Sequence, residues 1–164
     1  MLNRLGSKTA DGFFCEVIIV FDMRLSTKGQ YAVRAMVSLV CHANGKPMTL
    51  KGISESEDIS LPYLEQLFVK LRRGNIVKSV RGPGGGYVLA RPASEIKVGE
   101  IITVVEESLN PVPCLDEDPS ICTRINKCVT QRVWKGLGEK MKEFLNSITI
   151  EDLGREAKQL AVNH

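Results

Sequence analysis

Six residues near the middle of the chain constrain its fold most: Arg81 to Gly86 read RGPGGG. Four glycines and a proline in six positions predict a turn, because glycine adopts backbone angles closed to other residues and proline cannot pair inside a sheet. Short β-prone runs lie on both sides, over residues 76–80 and 87–90. The segment therefore predicts a tight β-hairpin with a basic, glycine-rich tip.

A helix is predicted immediately before the hairpin, over residues 60–73. Pro62 fits its first turn, where the missing N–H costs no hydrogen bond, and Gly74-Asn75 ends it because both residues tolerate left-handed backbone angles. Apolar side chains recur at helical spacing, at Leu61, Leu64, Leu67, Phe68 and Leu71. Two further helices are predicted: one capped by Ser26 or Thr27 and running to about His42, and one capped by Thr49 and running from Leu50 to about Glu57. Short helix, short turn, longer helix and hairpin together predict a winged helix-turn-helix.

Charge is distributed unevenly along the chain. Residues 23–92 contain eleven Lys and Arg but four Asp and Glu, whereas residues 93–164 contain nine and twelve. A basic domain of this kind is the electrostatic footprint of a nucleic-acid-binding protein, although a solvated surface has the same composition. We therefore expect double-stranded DNA as the partner of residues 23–92.

The predicted helix-turn-helix assigns roles to polar residues. The N-terminal residues of its second helix face base edges in the major groove, and here they are Ser60, Tyr63, Glu65 and Gln66. Basic residues further along suit phosphates, namely Lys70, Arg72 and Arg73. Arg81 at the hairpin tip suits a minor groove or a phosphate. A nucleotide-binding loop is a poor alternative, because the glycine-rich segment leads into a strand instead of a helix.

Three of the five cysteines, Cys114, Cys122 and Cys128, lie within fifteen residues. The closely spaced cysteine pairs of zinc fingers are absent, and an odd number of cysteines argues against a disulfide framework. Three thiolates on an irregular loop that runs into a helix suit an iron–sulfur cluster, although three unrelated thiols would leave the same pattern. Cys41 lies on the apolar side of the first helix and is predicted to be a core residue.

A long helix is predicted from Cys128 to about Ile148, after a helix over residues 98–108, and Thr149 caps a final short helix. The long helix carries one apolar stripe, formed by Val129, Val133, Leu137, Met141, Phe144, Leu145 and Ile148. The rest of the chain is too small to cover this stripe from every side, so a symmetric partner helix is the simplest cover. The alternative is that the first helix and the 98–108 helix cover it.

The predicted fold class is therefore mainly α with a small β-hairpin: a winged helix-turn-helix domain plus a long C-terminal dimerisation helix. Residues 1–22 are predicted to be an extension, because Met23 could itself be a start. Residues 23–92 form the predicted DNA-binding domain. Residues 93–164 form the predicted cluster-binding loop and dimerisation helices.

From Met23 to about Glu156 the chain resembles the IscR-type iron–sulfur cluster regulators. The segments MRLSTKGQYAV, ISLPYLEQLF, SVRGPGGGY and FLNSITIEDL carry the resemblance. It implies a homodimeric bacterial transcription regulator in which each subunit binds one cluster through Cys114, Cys122 and Cys128. It also implies that the state of the cluster alters the choice of DNA.

The chain departs from that family pattern in its ligand set. IscR-type proteins complete the ligation of a 2Fe-2S cluster with a His three residues after the last cysteine, and here that position is Gln131. An amide oxygen is a poor iron ligand, so Glu117, Asp118 or a residue of a partner subunit are further candidates. The gap between Cys114 and Cys122 is also longer than usual. A 2Fe-2S cluster is favoured, and the 4Fe-4S cluster of related nitric-oxide and iron sensors is the alternative.

Other classes of protein are less compatible with the residues. No segment approaches the ~18 apolar residues of a membrane span, and no catalytic constellation is visible. We therefore expect no membrane association, no small-molecule substrate and no enzymatic activity, in a reducing cytoplasm. An iron–sulfur electron-transfer protein would leave the basic helix and hairpin without a purpose. A metal-free interaction protein with structural thiols is the remaining alternative. For a transcription regulator, the residues are compatible with repression and with activation.

Overall fold

The computed structural model describes residues 26–42, 45–106, 108–116, 122 and 127–163. The extension over residues 1–22, with Cys15, lies outside this range. The described part contains six α-helices and one two-stranded antiparallel sheet: α1 (Thr27–His42), α2 (Leu50–Glu57), α3 (Leu61–Arg73), β1 (Val77–Val80), β2 (Gly86–Leu89), α4 (Val98–Val105), α5 (Gln131–Ser147) and α6 (Ile150–Val162). The mainly α class with one small hairpin is confirmed. No helix in these residues is both long enough and apolar enough to cross a membrane.

The turn between α2 and α3 is made by local capping. The Thr49 hydroxyl accepts a hydrogen bond from the Gly52 N–H at 3.1 Å, as the sequence predicts for the start of α2. Asp58 ends α2 in the left-handed conformation, with φ at 52°. Ser60 then occupies the N-cap position of α3 without a side-chain hydrogen bond to the helix. The predicted helix-turn-helix is therefore confirmed to within a residue.

The hairpin is fixed to the helices by a third backbone segment. Val77 pairs with Leu89 and Val80 with Gly86, so the glycine-rich segment forms the connection. Met48, just before α2, exchanges two backbone hydrogen bonds with Tyr87 of β2, at 2.8 and 3.0 Å. A Cβ at Gly86 would collide with the Met48 backbone, which is why glycine is required there. The sequence pattern did not predict this pairing.

One hydrophobic core joins the elements, and α1 lies at its centre. This helix packs against α2, α4 and α6. The α6 contact is close, because a Cβ at Gly154 would lie 2.6 Å from Val40 Cγ1. The buried residues come from both sides of the predicted domain boundary at residue 92, with Phe68 before it and Ile101 and Ile150 after it. The boundary itself stays a prediction.

Two helices are shorter than predicted. α4 ends at Val105 instead of residue 108, because Glu106 turns to an extended conformation and its side chain caps another helix. α5 begins at Gln131, three residues after the predicted start. α6 begins as predicted, with the Thr149 hydroxyl accepting from the Asp152 N–H and the Asp152 carboxylate accepting from the Thr149 N–H, both at 3.1 Å.

Candidate functional site: a DNA-binding surface and a cysteine loop

The recognition helix α3 separates its core residues from its predicted DNA-contacting residues. Leu64, Leu67, Phe68 and Leu71 are buried. Five of the predicted contact residues are exposed on other faces of the helix or at its N-cap, namely Ser60, Glu65, Gln66, Arg72 and Arg73. Core packing therefore fixes the helix while its polar groups remain accessible to a ligand.

Tyr63 is held more tightly than its exposed neighbours on α3. Its ring packs edge-on against Tyr31 of α1, with the centroids 5.6 Å apart. Burial, the Glu106 carboxylate and Tyr31 raise the pKa of Tyr63 above its ordinary value. The phenol therefore stays protonated at neutral pH and can donate a hydrogen bond.

Lys70 has a partner within the protein. The side chain is half-buried, and its ammonium donates to the Val105 carbonyl at 2.9 Å. That carbonyl belongs to the last turn of α4, where carbonyls lack intrahelical partners and a positive charge is favourable. The predicted phosphate contact of Lys70 would compete with this hydrogen bond, and it stays a prediction.

The wing places Arg81 at an exposed position at the end of β1. The hairpin is attached to the recognition helix through Phe68 and Tyr87, whose rings lie 4.8 Å apart, and through the Met48 backbone. Strand β2 and α3 therefore belong to one packed unit, from which the exposed tip extends.

Cys114 lies in a 3-10 turn, Pro113–Leu115, that is organised by Asn110. The Asn110 amide donates to the Leu115 carbonyl at 2.8 Å and to the Asp116 carboxylate at 2.9 Å. Its carbonyl oxygen accepts from the Lys142 ammonium of α5 at 3.1 Å. The turn that carries the first cysteine is thus attached to α5.

Gly138 brings α5 close to the same turn. It is the buried residue of α5, and a Cβ there would lie 3.1 Å from the Pro111 ring. A larger residue would push the cysteine turn away from the helix.

Cys122 and Cys128 are half-buried, and none of the four described cysteines forms a disulfide. Cys128 precedes α5 by three residues, and its carbonyl accepts from the Gln131 N–H at 3.3 Å. Gln131 is therefore one turn from the last cysteine. Within the described residues, no three His, Cys, Asp or Glu side chains lie close enough to hold a metal ion. Glu117 and Asp118, the other suggested ligands, lie outside those residues.

Much of the apolar stripe of α5 remains uncovered within one chain. Leu145 and Ile148 pack against the core, and α4 contacts part of the helix. Val133 and Phe144 are nevertheless 57% and 64% exposed, and Val129 just before the helix is 91% exposed. Of the two helices in the alternative cover, α4 therefore accounts for part of the stripe.

Comparison with known proteins decides the family. Residues 25–156 match the Rrf2 family, described as an iron-dependent transcriptional regulator. The chain belongs to the Rrf2 family. The match spans α1 to about the middle of α6, so it includes the winged helix, the cysteine loop and α5.

Curated relatives and solved structures agree with this assignment. The HTH-type transcriptional regulator IscR of Yersinia pseudotuberculosis is 47% identical over 131 residues, which cover 80% of this chain and 79% of that protein. IscR of Serratia proteamaculans is 46% identical over 140 residues, or 85% and 84% of the two chains.

Two solved structures share the fold. The structure of T. potens IscR aligns with a TM-score of 0.68 and 42% identity, covering 84% of this chain and 90% of that one. CymR, the global cysteine regulator of B. subtilis, aligns with a TM-score of 0.65 and 38% identity, covering 81% and 97%. The predicted IscR-type resemblance is confirmed, and this Rrf2 protein is a winged-helix, DNA-binding transcription regulator.

Two residues that organise the site, Asn110 and Glu106, are not among the predicted site residues. Asn110 precedes Pro111, and an Asn-Pro pair is a turn signal that could have identified it. Glu106 accepts hydrogen bonds from Ser26 and Gly29, which are 80 and 77 residues away. No local pattern predicts a contact at that separation.

Proposed function

We propose that this Rrf2 protein is a homodimeric regulator that changes its DNA binding when an iron–sulfur cluster binds to Cys114, Cys122 and Cys128. One observation carries the proposal: three half-buried thiols lie on the segment that connects the packed DNA-binding unit to the exposed apolar face of α5. A ligand on that segment can influence both the recognition helix and the subunit interface.

The DNA-binding half of the proposal divides the exposed residues by role. Ser60, Tyr63, Glu65 and Gln66 would face base edges, because they occupy the N-terminal half of the recognition helix. Arg72 and Arg73 at its C-terminal end would contact phosphates, and Arg81 would enter a minor groove or clamp a phosphate. Base contacts supply sequence choice, whereas the basic residues supply affinity for any duplex.

The donor chemistry of the loop fits an iron–sulfur cluster, because cysteine thiolates are its usual protein ligands. The loop residues also stand before the N-terminus of α5, whose dipole favours thiolate ligands and a negatively charged cluster. A bound cluster would supply sensitivity to iron supply, oxidation or nitrosylation. The three cysteines would have to come closer together on binding, and ligand binding and local rearrangement are coupled in metal sites.

Gln131 is the candidate fourth ligand within the described residues, because its backbone lies one turn from Cys128. A 2Fe-2S cluster is favoured from the family resemblance. The missing His at this position and the longer gap between Cys114 and Cys122 favour a second candidate function. In that function the protein is a nitric-oxide- or iron-responsive repressor with a 4Fe-4S cluster.

Cluster loading tests the proposal directly. We expect protein purified without oxygen to contain iron and sulfide, at about two of each per chain for a 2Fe-2S cluster or about four for a 4Fe-4S cluster. The variants Cys114→Ala, Cys122→Ala and Cys128→Ala should contain almost none. Cys41→Ala is the matched control, because this thiol is half-buried and bonds the Gly154 carbonyl of α6, away from the loop. Iron and sulfide analysis with an absorption spectrum gives the answer, and a fully loaded Cys122→Ala variant would refute the ligand set.

A further inference from the structure

The recognition helix α3 is attached directly to the end of α4. Lys70 donates to the Val105 carbonyl at 2.9 Å in a half-buried position. At the C-cap of α3, a Cβ at Gly74 would lie 2.5 Å from Val104 Cγ2, so the two helix ends are in close contact. A lysine at a helix C-terminus bonds a carbonyl that has no intrahelical partner and complements the helix dipole. The end of α4 therefore cannot move far without moving α3 or breaking this bond.

Glu106, the next residue, attaches the end of α4 to α1. Its carboxylate accepts from the Ser26 hydroxyl and from the Gly29 N–H, the latter at 3.0 Å. An anion at the first turn of a helix is favourable, because the backbone N–H groups there lack partners. The same carboxylate acts on Tyr63, one of the predicted base-contacting residues, where it contributes to the raised pKa. Lys70 thus connects this short segment to the recognition helix, and Glu106 connects it to α1, whose Tyr31 packs against Tyr63.

That segment leads into the cysteine loop. A single residue separates Glu106 from Ser108, whose hydroxyl bonds the Asp116 carboxylate at the end of the Cys114 turn. Asn110 bonds the same carboxylate and the Leu115 carbonyl. A change in the position of Cys114 would therefore act on residues 108–110 and, within three further residues, on Glu106 and Val105.

We propose that Lys70 and Glu106 are positioning residues that couple the ligand state of the cysteine loop to the recognition helix, and that Lys70 acts through the Val105 carbonyl instead of a DNA phosphate. This inference rests on the proposed cluster-sensing function. The element whose position both sites bias is the end of α4, and the coupling is the ratio of DNA affinities with and without the cluster. The phosphate-contacting residues of α3 are then Arg72 and Arg73 alone.

The test measures DNA binding by each variant in two ligand states. A fluorescent duplex, selected from a random pool by the loaded wild-type protein, is titrated with loaded protein and with protein stripped by a chelator, over a range of salt concentrations. The variants are Lys70→Met, which keeps the length but removes the donor, and Lys70→Arg, which keeps a donor. Glu106→Gln removes the charge on the other connection. Arg72→Met is the matched control, because Arg72 is exposed on the same helix.

For Lys70→Met, we expect the ratio of loaded to cluster-free affinity to move towards one by about 2- to 30-fold, with the salt dependence unchanged. Lys70→Arg should restore the ratio, and Glu106→Gln should reduce it. Arg72→Met should weaken both states equally and lower the salt slope by about one. A structural defect without coupling would weaken both states of Lys70→Met equally, and that result would overturn the inference.

Three other outcomes separate a failure of this inference from a failure of the function on which it rests. If the cluster changes the DNA affinity of the wild type and changes that of Lys70→Met by the same factor, cluster sensing stands and the coupling role is wrong. A Lys70→Met variant that loses one unit of salt slope would return Lys70 to the phosphate contacts and also overturn the inference. If the wild type binds iron but binds DNA equally well with and without the cluster, both proposals fail. They also fail if the wild type binds no iron. Should Lys70→Met not fold, Glu106→Gln and Lys70→Arg carry the same comparison.

Discussion

The recognition helix and α5 are both amphipathic helices, but the structure treats them differently. α3 buries four apolar side chains in the core of its own chain. α5 buries Gly138 and leaves Val133 and Phe144 largely exposed. The geometry of the DNA-binding half is therefore fixed by packing within one subunit. Under the proposed function, the exposed face of α5 is the part that a partner subunit covers, and the cysteine loop beside it holds the cluster.

Truncating one phenylalanine in each helix is the strongest test of this difference between α3 and α5. Phe68 is fully buried, whereas Phe144 is 64% exposed. We expect Phe68→Ala to lower the free energy of unfolding by about 3–5 kcal/mol, because it leaves a cavity in the core. Phe144→Ala should weaken dimerisation instead, because its exposed side chain would be covered by a partner subunit. Denaturant unfolding and sedimentation analysis measure the two effects.

The concentration dependence of unfolding is the control for that pair. The defect of Phe68→Ala should persist at every protein concentration, whereas that of Phe144→Ala should shrink as the concentration rises, since dimerisation stabilises by mass action. A Phe144→Ala protein that remains dimeric yet unfolds as easily as Phe68→Ala would contradict the assignment of α5 to the subunit interface.

Within the DNA-binding half, alanine substitutions at Glu65 and Arg81 are expected to change DNA binding in different ways. Glu65→Ala should mainly change which sequences are bound, by about 1–3 kcal/mol at a contacted base pair, because a base contact carries sequence information. Arg81→Ala should weaken binding to all sequences and lower the salt slope by about one. Binding to a panel of single-substitution duplexes distinguishes them. Equal losses on every duplex for both variants would rule out this division of roles.

The smallest effect concerns α6, whose Ile150 and Gly154 are buried and attach it to the packed region. Hydrogen bonds from the Thr149 hydroxyl and backbone N–H hold the pKa of Asp152 below its ordinary value. A lowered carboxyl pKa stabilises the fold above the ordinary carboxyl range, and this contribution is lost as the pH falls through the lowered pKa. Thr149→Ala should therefore destabilise the fold more at neutral pH than in acid, where Asp152 is protonated and its bonds to Thr149 are weakened in both proteins. Melting temperatures of the two proteins across the acidic range test this, and a pH-independent difference would contradict it.

Much of the fold follows from local chemistry that the sequence displays. The starts of α2 and α6 are predicted because the hydroxyls of Thr49 and Thr149 bond N–H groups within three residues. The wing is predicted because few structures other than a turn accommodate RGPGGG. The C-terminal end of α4 and the start of α5 are predicted less well. The end of α4 depends on Glu106 reaching the distant start of α1, and the start of α5 lies beside the cysteine loop.

The candidate site also contains some features that the sequence pattern predicts and some that it does not. The exposed positions of Glu65, Gln66, Arg72 and Arg73 follow from helical periodicity, so the pattern predicts which face of α3 is accessible. The bond from Lys70 to Val105 does not follow, because Lys70 fits a phosphate contact equally well in the pattern. The cysteines are obvious as residues, but their spacing alone leaves the cluster type and the fourth ligand open.

Local sequence is enough to predict the winged helix, the basic recognition helix and the three-cysteine loop, because each depends on residues that are close together in the chain. Tertiary structure alone decided that Met48 pairs with the wing, that α6 packs on α1, and that Lys70 and Glu106 connect the end of α4 to the DNA-binding unit. These contacts join residues between 35 and more than 100 positions apart. Their formation depends on the packing of the whole core, which local propensities do not specify.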